Sequence, residues 1–548
     1  MAKKSKRSLA KSADHSRQPR EISPEIQDLA ESAQNALAQH HYEDALRDAQ
    51  ELETRASFDA TLTMFALIWQ IRALQGLGRD ADAVVQKYID AAQKNDAIDR
   101  AVQGYRMLAQ SHIDKGAWTA ASECLGKALD IAIRHQLSRD ALEILMFLGG
   151  LELKMCHYVD AIEYIHRAMH AIEHAVAAND ELYGIKAHGY RQLCELYDTV
   201  GEGQKARDAW ESARNTPTTD AEERWLQRIW RARFALRDGD ADAACQTLKD
   251  VETDVAQSLK GKATPEQHAM VMLELAQALW SHGEFSTALH KLDEIQTDSV
   301  PLQQAIALTR FQWAIEIGRP KLDPDEAGRH FAETCADRDD VDIQLTLAAS
   351  LTQAALEIER GHYDNSLESL MHIAQAASFT QLAPFIARAL ALRGQAYLAM
   401  HAWAEAAQDG HDAGEMFAYQ LDDVSAKQVA AIQLRASWEL QKANGITSLH
   451  EADAETYRVL CDAQESYLAK HHIVAAIDLG LALAELSLQL GDGKCAQILA
   501  AIEPYIDREL MAHRAMSFYH CKGTLLHDES LRARAREIAQ TNGFALSE

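Results

Sequence analysis

At 548 residues the chain is too long for one hydrophobic core, so it is either several domains or an array that lengthens its core unit by unit. A formal net charge of −27 argues against nucleic acid as the main partner of the body, because such binding needs a continuous basic footprint. Apolar stretches such as TMFALIWQI from Thr63 and ILMFLGGL from Ile144 fall short of a membrane span, and eight scattered cysteines form no C-x-x-C pair, so the expectation is a cytoplasmic protein without membrane insertion, disulfide frame or zinc cage.

In chain order, residues 1–22 form a basic tail with seven Lys or Arg against one Asp in the first twenty positions, too polar to bury anything and expected to be disordered. Helix begins at Ser23-Pro24-Glu25, an N-cap serine followed by proline in the first turn. A repeated unit then sets in. Tyr105, Leu108-Ala109, Gly116, Trp118, Ala121, Leu125 and Ala128 define its spacing. The spacing returns at Leu145, Leu148-Gly149, Tyr158, Ala161, Ile165 and Ala168, and again at Tyr190, Leu193-Cys194, Tyr197, Gly201, Ala206, Trp210 and Ala213. Further copies centre on Ala244, Ala288, Ser366, Ala406 and Ala496, with weaker ones at Ala45, Ala83 and Ala327 and a degenerate one near 451. Within the second of these units, His170-Ala171-Ile172-Glu173-His174 matches the zinc-peptidase pattern H-x-x-E-H, and His166 extends the row. The register places the row on the outer end of a second helix, so no catalytic role and no metal is expected of it. His40-His41 and His471-His472 are adjacent in sequence and therefore poor ligand pairs.

The stretch RWLQRIWRARFALR, Arg224 to Arg237, sets five arginines in an acidic chain. In strict register Arg228 and Arg231 would face the partner helix unpaired, at a cost of several kcal/mol. A slip of two residues puts Leu226, Ile229 and Trp230 on the buried stripe and Arg224, Arg228 and Arg231 on the opposite face, and this is the preferred reading. Capping boxes are read at Thr219-Asp220-Ala221-Glu222 and Thr264-Pro265-Glu266-Gln267, and a cap with a first-turn proline at Asp323-Pro324. GRPKLDPDEAG from Gly318 is an elongated turn.

These residues resemble the tetratricopeptide repeat, a pair of antiparallel helices closed on a small Ala or Gly, although the period here is near 40 residues rather than 34. The longer units also look like the helical sensor arrays of some bacterial signalling proteins. The resemblance implies an all-α fold, a right-handed α-solenoid of about twelve hairpins. The array is read as an N-terminal part, 23–300, and a C-terminal part, 301–548, with irregular units and terminal capping helices. It also implies a concave groove lined by first helices, where a partner protein or peptide would lie. The groove candidates are Arg106, Gln110, His188, Arg191, Arg224, Arg228, Arg231, Gln277 and Trp280, and their arginines suit a partner with an acidic segment. The leading function is then a non-catalytic interaction scaffold without cofactor. The alternative is a sensory or regulatory arm that transmits a shape change, and an enzyme built on the histidine row is the third and weakest reading.

Overall fold

Each repeat of the pattern becomes one helical hairpin. A small residue near the start of the second helix lets the two helices close on each other while larger neighbours fill the groove between them. The computed structural model describes residues 23–173, 180–258, 263–336, 342–507 and 509–546, and every regular element among them is helical. The basic tail lies outside the described residues.

The chain divides into two compact units, with the boundary between Leu148 and Gly149. The first contains α1 (Pro24–Ala38), α2 (Tyr42–Arg55), α3 (Ala60–Gly76), α4 (Asp82–Lys94), α5 (Ile98–Asp114), α6 (Trp118–Arg134) and most of α7 (Ser138–Lys154). The second continues with α8 (Tyr158–Glu173), α9 (Asp180–Val200), α10 (Gly203–Asn215), α11 (Ala221–Arg237), α12 (Ala241–Ser258), α13 (Pro265–His282), α14 (Phe285–Glu294), α15 (Val300–Ile317), α16 (Pro324–Cys335) and α17 (Ile343–Glu359). It ends with α18 (Tyr363–Phe379), α19 (Ala383–Ala399), α20 (Trp403–Tyr419), α21 (Asp423–Ala443), α22 (Glu451–Ala469), α23 (Ile473–Leu490), α24 (Cys495–Ile502), α25 (Ala512–Leu526) and α26 (Glu529–Asn542). Odd-numbered helices are the first of each hairpin and even-numbered helices the second. Residue 300 opens α15 inside the second unit, where one apolar core includes side chains from both sides of it.

The marker residues sit where close packing requires them. Ala45, Ala121, Ala161, Ala206, Ala244, Ala288, Ser366 and Ala406 have no accessible surface, and Ala327 is nearly covered. The Ser366 hydroxyl, which would otherwise be a buried unsatisfied donor, bonds Ala354 O at 3.1 Å. Two markers are out of place. Ala83 and Ala496 are exposed, and Val85 and Cys495 take the buried positions of α4 and α24. The degenerate copy near 451 is α21 with α22, where Tyr457, Leu460, Gln464 and Tyr467 replace small residues on the inward face. A thirteenth hairpin, α25 with α26, stands where capping helices were expected.

Some helix starts carry the expected caps, although the Ser23 side chain makes no cap bond at α1 and Pro24 alone marks the first turn there. Thr264 and Gln267 form the reciprocal box at α13, and Asp323 accepts from Asp325 N at 3.0 Å to begin α16. At α11 the cap is Asp220 alone, accepting from Glu222 N, rather than the box expected from Thr219.

The second unit coils on itself. α9 packs on α19, α11 on α21, α13 on α23 and α15 on α25, so each of these first helices meets the one five hairpins later. Burial from two sides removes the polar face of a helix. α23 accordingly buries eleven residues around its circumference. It has the length and mean hydropathy, 1.8 over Ile473–Leu490, to cross a membrane. This run is longer than the apolar stretches from Thr63 and Ile144, which fall short of a span. Its neighbours here are α13, α21, α22, α24 and α25, and its side chains belong to a single core running from Trp225 to Cys521.

Candidate functional site

Among first helices, those of the first unit keep an open stripe. On α5 the exposed positions Asp99, Gln103, Arg106 and Gln110 recur at helical spacing, opposite the buried Ala101, Val102, Leu108 and Ala109. On α3 Phe65 is exposed, stacks on Trp69 with ring centroids 6.0 Å apart, and lies under the Arg100 guanidinium at 5.4 Å. On α7 Phe147 is exposed as well. Arg106 reaches Glu143 at 2.9 Å, and Gln110 bonds Asp114 of its own helix at 2.8 Å. Such exposed pairs contribute little to folding and exchange readily for an incoming carboxylate. The stripe is thus mixed aromatic and basic, with polar groups held by replaceable partners.

The second unit treats its first helices differently. Arg191 of α9 bonds Glu223 of α11 at 2.9 Å, and His188 stands 2.9 Å from Arg191 and 3.5 Å from Glu223. Burial works to raise the Glu223 pKa, but His188 and Arg191 more than offset it and hold the carboxyl below its ordinary range. Gln277 of α13 bonds the Thr309 hydroxyl of α15 at 3.2 Å. Trp280 is buried, stacked on Trp313 at 4.4 Å, with Nε1 donating to Glu316 at 2.9 Å. Trp280 therefore lines no open groove, because an indole between two helices is worth more as packing than as exposed surface.

The arginine helix α11 has the slipped register in its packing. Trp225, Ile229 and Trp230 are buried and Leu226 is half-buried. Arg224 and Arg231 are exposed, while Arg228 pairs with Asp254 of α12 at 2.5 Å. That pair turns this face toward the second helix of the hairpin. The side of α11 that meets other first helices carries Arg233 and Arg237 instead: Arg233 pairs with Glu274 of α13 at 2.5 Å, and Arg237 with Asp198 of α9. The expectation that Arg224, Arg228 and Arg231 look into the groove is corrected on this point. The slip rotates them past the groove as it takes them off the buried stripe. Sequence held a signal for the correct pair, since opposite charges 41 and 39 residues apart stand one repeat apart and so on neighbouring first helices. Replacing Arg224, Arg228 and Arg231 together by glutamine is expected to change stability by no more than about 1 kcal/mol, as for exposed ion pairs generally. A urea melt checks it, and a larger loss would mean that Asp254 needs its partner for folding.

Of the histidine row, His166 and His170 are exposed on α8, with His166 bonded to the Tyr197 hydroxyl at 2.5 Å. His174 lies outside the described residues. His471 and His472 do point apart, His472 into the core and His471 to the surface.

No family model matches the sequence, and neither does any curated protein. Among solved structures, the chain is similar to a Rap protein crystallised with competence and sporulation factor, at 13% identity and a TM-score of 0.38, covering 73% of this chain and 98% of that one. It is also similar to the Cut9–Hcn1 hetero-tetramer of the APC/C, at 13% identity and a TM-score of 0.46, covering 94% and 96%. Thirteen consecutive hairpins among the described residues, closed on buried small side chains, decide the fold. The chain is a tetratricopeptide-like helical array. In this array α3, α5 and α7 of the first unit keep exposed first-helix residues, whereas α9, α11, α13 and α15 of the second unit pack against α19, α21, α23 and α25.

Proposed function

We propose that the protein is a non-catalytic scaffold that holds a partner protein or peptide, one with an acidic segment, along the first-helix stripe of its first unit. The reading rests on one observation. Phe65, Arg106, Gln110 and Phe147 stay exposed there, while α13 and α15 of the second unit are covered by α23 and α25. Exposed aromatics beside a guanidinium are the residue types that dominate binding energy at protein interfaces. Arg106 can trade Glu143 for a carboxylate of the partner through a charge-assisted contact.

The test is affinity capture from the native host with the full chain as bait, quantified by mass spectrometry. Phe65→Ala with Phe147→Ala should lose the same proteins that wild type retains, and Arg106→Gln should weaken their capture more at low salt than at high salt. Met371→Ser, at an exposed site of the second unit, should retain them. Capture that survives the aromatic pair but fails when Arg224, Arg228 and Arg231 are replaced by glutamine would move the binding surface to α11 and overturn this placement.

A regulatory arm is the second reading, favoured by the closed coil of the second unit, whose turns touch through discrete polar contacts that a ligand could break or complete. A thermal-shift screen against small metabolites separates the two.

A further inference from the structure

Folding brings together three ligand atoms that the sequence keeps far apart. Asp242 lies in the first turn of α12, His282 at the end of α13, and His471 in the turn between α22 and α23. His282 Nε2 is 2.8 Å from Asp242 Oδ1, across 40 residues, and His471 Nδ1 is 2.8 Å from Asp242 Oδ2, across 229. One ligand atom from each falls within 4.8 Å of the other two. The imidazole rings stack with centroids 5.3 Å apart and planes 18° from parallel. The backbone fixes the arrangement, since Asp242 N donates to Lys470 O at 3.2 Å.

The other nitrogen of His282 shows what the cluster lacks. Nδ1 is buried and has no hydrogen-bond partner, although Glu284 Oε1 stands 3.5 Å away. If Nε2 carries the proton that bonds Asp242, Nδ1 presents a lone pair to a carboxylate, which is unfavourable. A cation on Nε2 reverses this, because the ring proton then sits on Nδ1 and points at Glu284. Carboxylate, histidine and metal in that order is the usual outer support of a ligating imidazole.

We propose that Asp242, His282 and His471 bind a first-row divalent cation of the zinc class, with Glu284 as a positioning residue behind His282. Two imidazoles and one carboxylate suit such an ion, and solvent exposure at Asp242 and His471 leaves room for water to complete the shell. The site joins one turn of the second unit's coil to the next, so the ion acts as a clip between α12–α13 and α22–α23. This departs from the sequence expectation of no metal, because the ligands stand 40 and 229 residues apart and form no local motif.

The experiment uses the full chain, stripped with chelator and titrated with zinc by calorimetry, with cobalt absorption as a ligand signature. One equivalent is expected, together with a melting temperature that rises with zinc concentration. His282→Ala and His471→Ala should each abolish the saturable equivalent, and Glu284→Gln should weaken it by about 10- to 100-fold. His166→Ala should leave it intact, which separates this site from casual binding to exposed histidines. Circular dichroism of the stripped variants keeps a folding failure distinct, and Asp242→Asn, which retains a hydrogen-bond acceptor, serves as the milder substitution. Zinc uptake equal in wild type and in the folded His282→Ala and His471→Ala variants, or no saturable uptake by wild type, overturns the proposal and leaves a hydrogen-bonded contact only.

Discussion

Arg514→Ala is expected to destabilise the second unit by about 3 kcal/mol. The Arg514 side chain is 8% exposed and bridges two turns of the coil. Its Nε and Nη2 take both oxygens of Asp478 on α23, at 2.6 and 3.0 Å, and Nη1 bonds Glu316 on α15 at 2.7 Å. Removing one partner of a buried pair typically costs 3–5 kcal/mol, because a charge is left uncompensated. The lower end applies here, since both carboxylates keep 31% of their surface and water screens part of the loss. Arg514→Lys should recover only part of it, as an ammonium cannot make the two parallel bonds to Asp478. The companion variant, Arg514→Met with Asp478→Asn and Glu316→Gln, should recover more, because no unpaired charge remains and the new amide oxygen on α15 would still accept from Trp280 Nε1. Urea denaturation followed by far-ultraviolet dichroism measures all three, and protection of α15, α23 and α25 amides against hydrogen exchange locates the loss. A cost under 1 kcal/mol for Arg514→Ala would show that apolar packing alone holds the turns together.

Hairpin architecture was legible because its determinants are local. A small residue at a fixed offset repeats with the unit, and side-chain caps mark the starts of some helices, such as α13 and α16. The slip in α11 could be read too, since misplacing Arg228 and Arg231 carries a large electrostatic penalty that a two-residue adjustment removes. The closure of the second unit's coil was not legible. Tyr419 bonds Glu202 across 217 residues and Arg514 bonds Glu316 across 198, and pairings at such range leave no periodic trace. Their one imprint is negative, the loss of a polar face from α13 and α23, and in sequence that loss reads only as a more apolar helix. The candidate site inherits the difference. Arg106 and Gln110 lie on helices whose open face follows from their own periodicity, whereas Gln277 and Trp280 lie on a helix covered by a neighbour ten helices on. That neighbour decides whether a first-helix residue faces solvent or core, and local pattern carries no knowledge of it.

Gly203→Ala should loosen the coil, with a loss of about 3 kcal/mol or more, although alanine is the better helix former. Gly203 opens α10, and a Cβ there would lie 2.2 Å from Gln420 O and 2.3 Å from its carbonyl carbon, in the turn between α20 and α21. Both atoms are backbone, so no rotamer change relieves the contact and the two turns of the coil must move apart. Overpacking usually costs 1–3 kcal/mol, and a backbone obstacle with no flexible end belongs at or above the top of that range. Helix propensity predicts the opposite sign, since alanine gains about 1 kcal/mol over glycine inside a helix. Gly126→Ala supplies the comparison: Gly126 lies within α6 with nothing inside 4 Å of its Cβ position, so there the propensity gain should appear as a higher melting temperature. Opposite shifts for the two substitutions, with new hydrogen exchange at residues 416–424 only in Gly203→Ala, are the expected result. Equal gains would mean that α10 and the α20–α21 turn are not in contact. The same variant bears on function, because a scaffold that binds through the first unit should capture its partners as wild type does, whereas a regulatory arm that works by the shape of its coil should not.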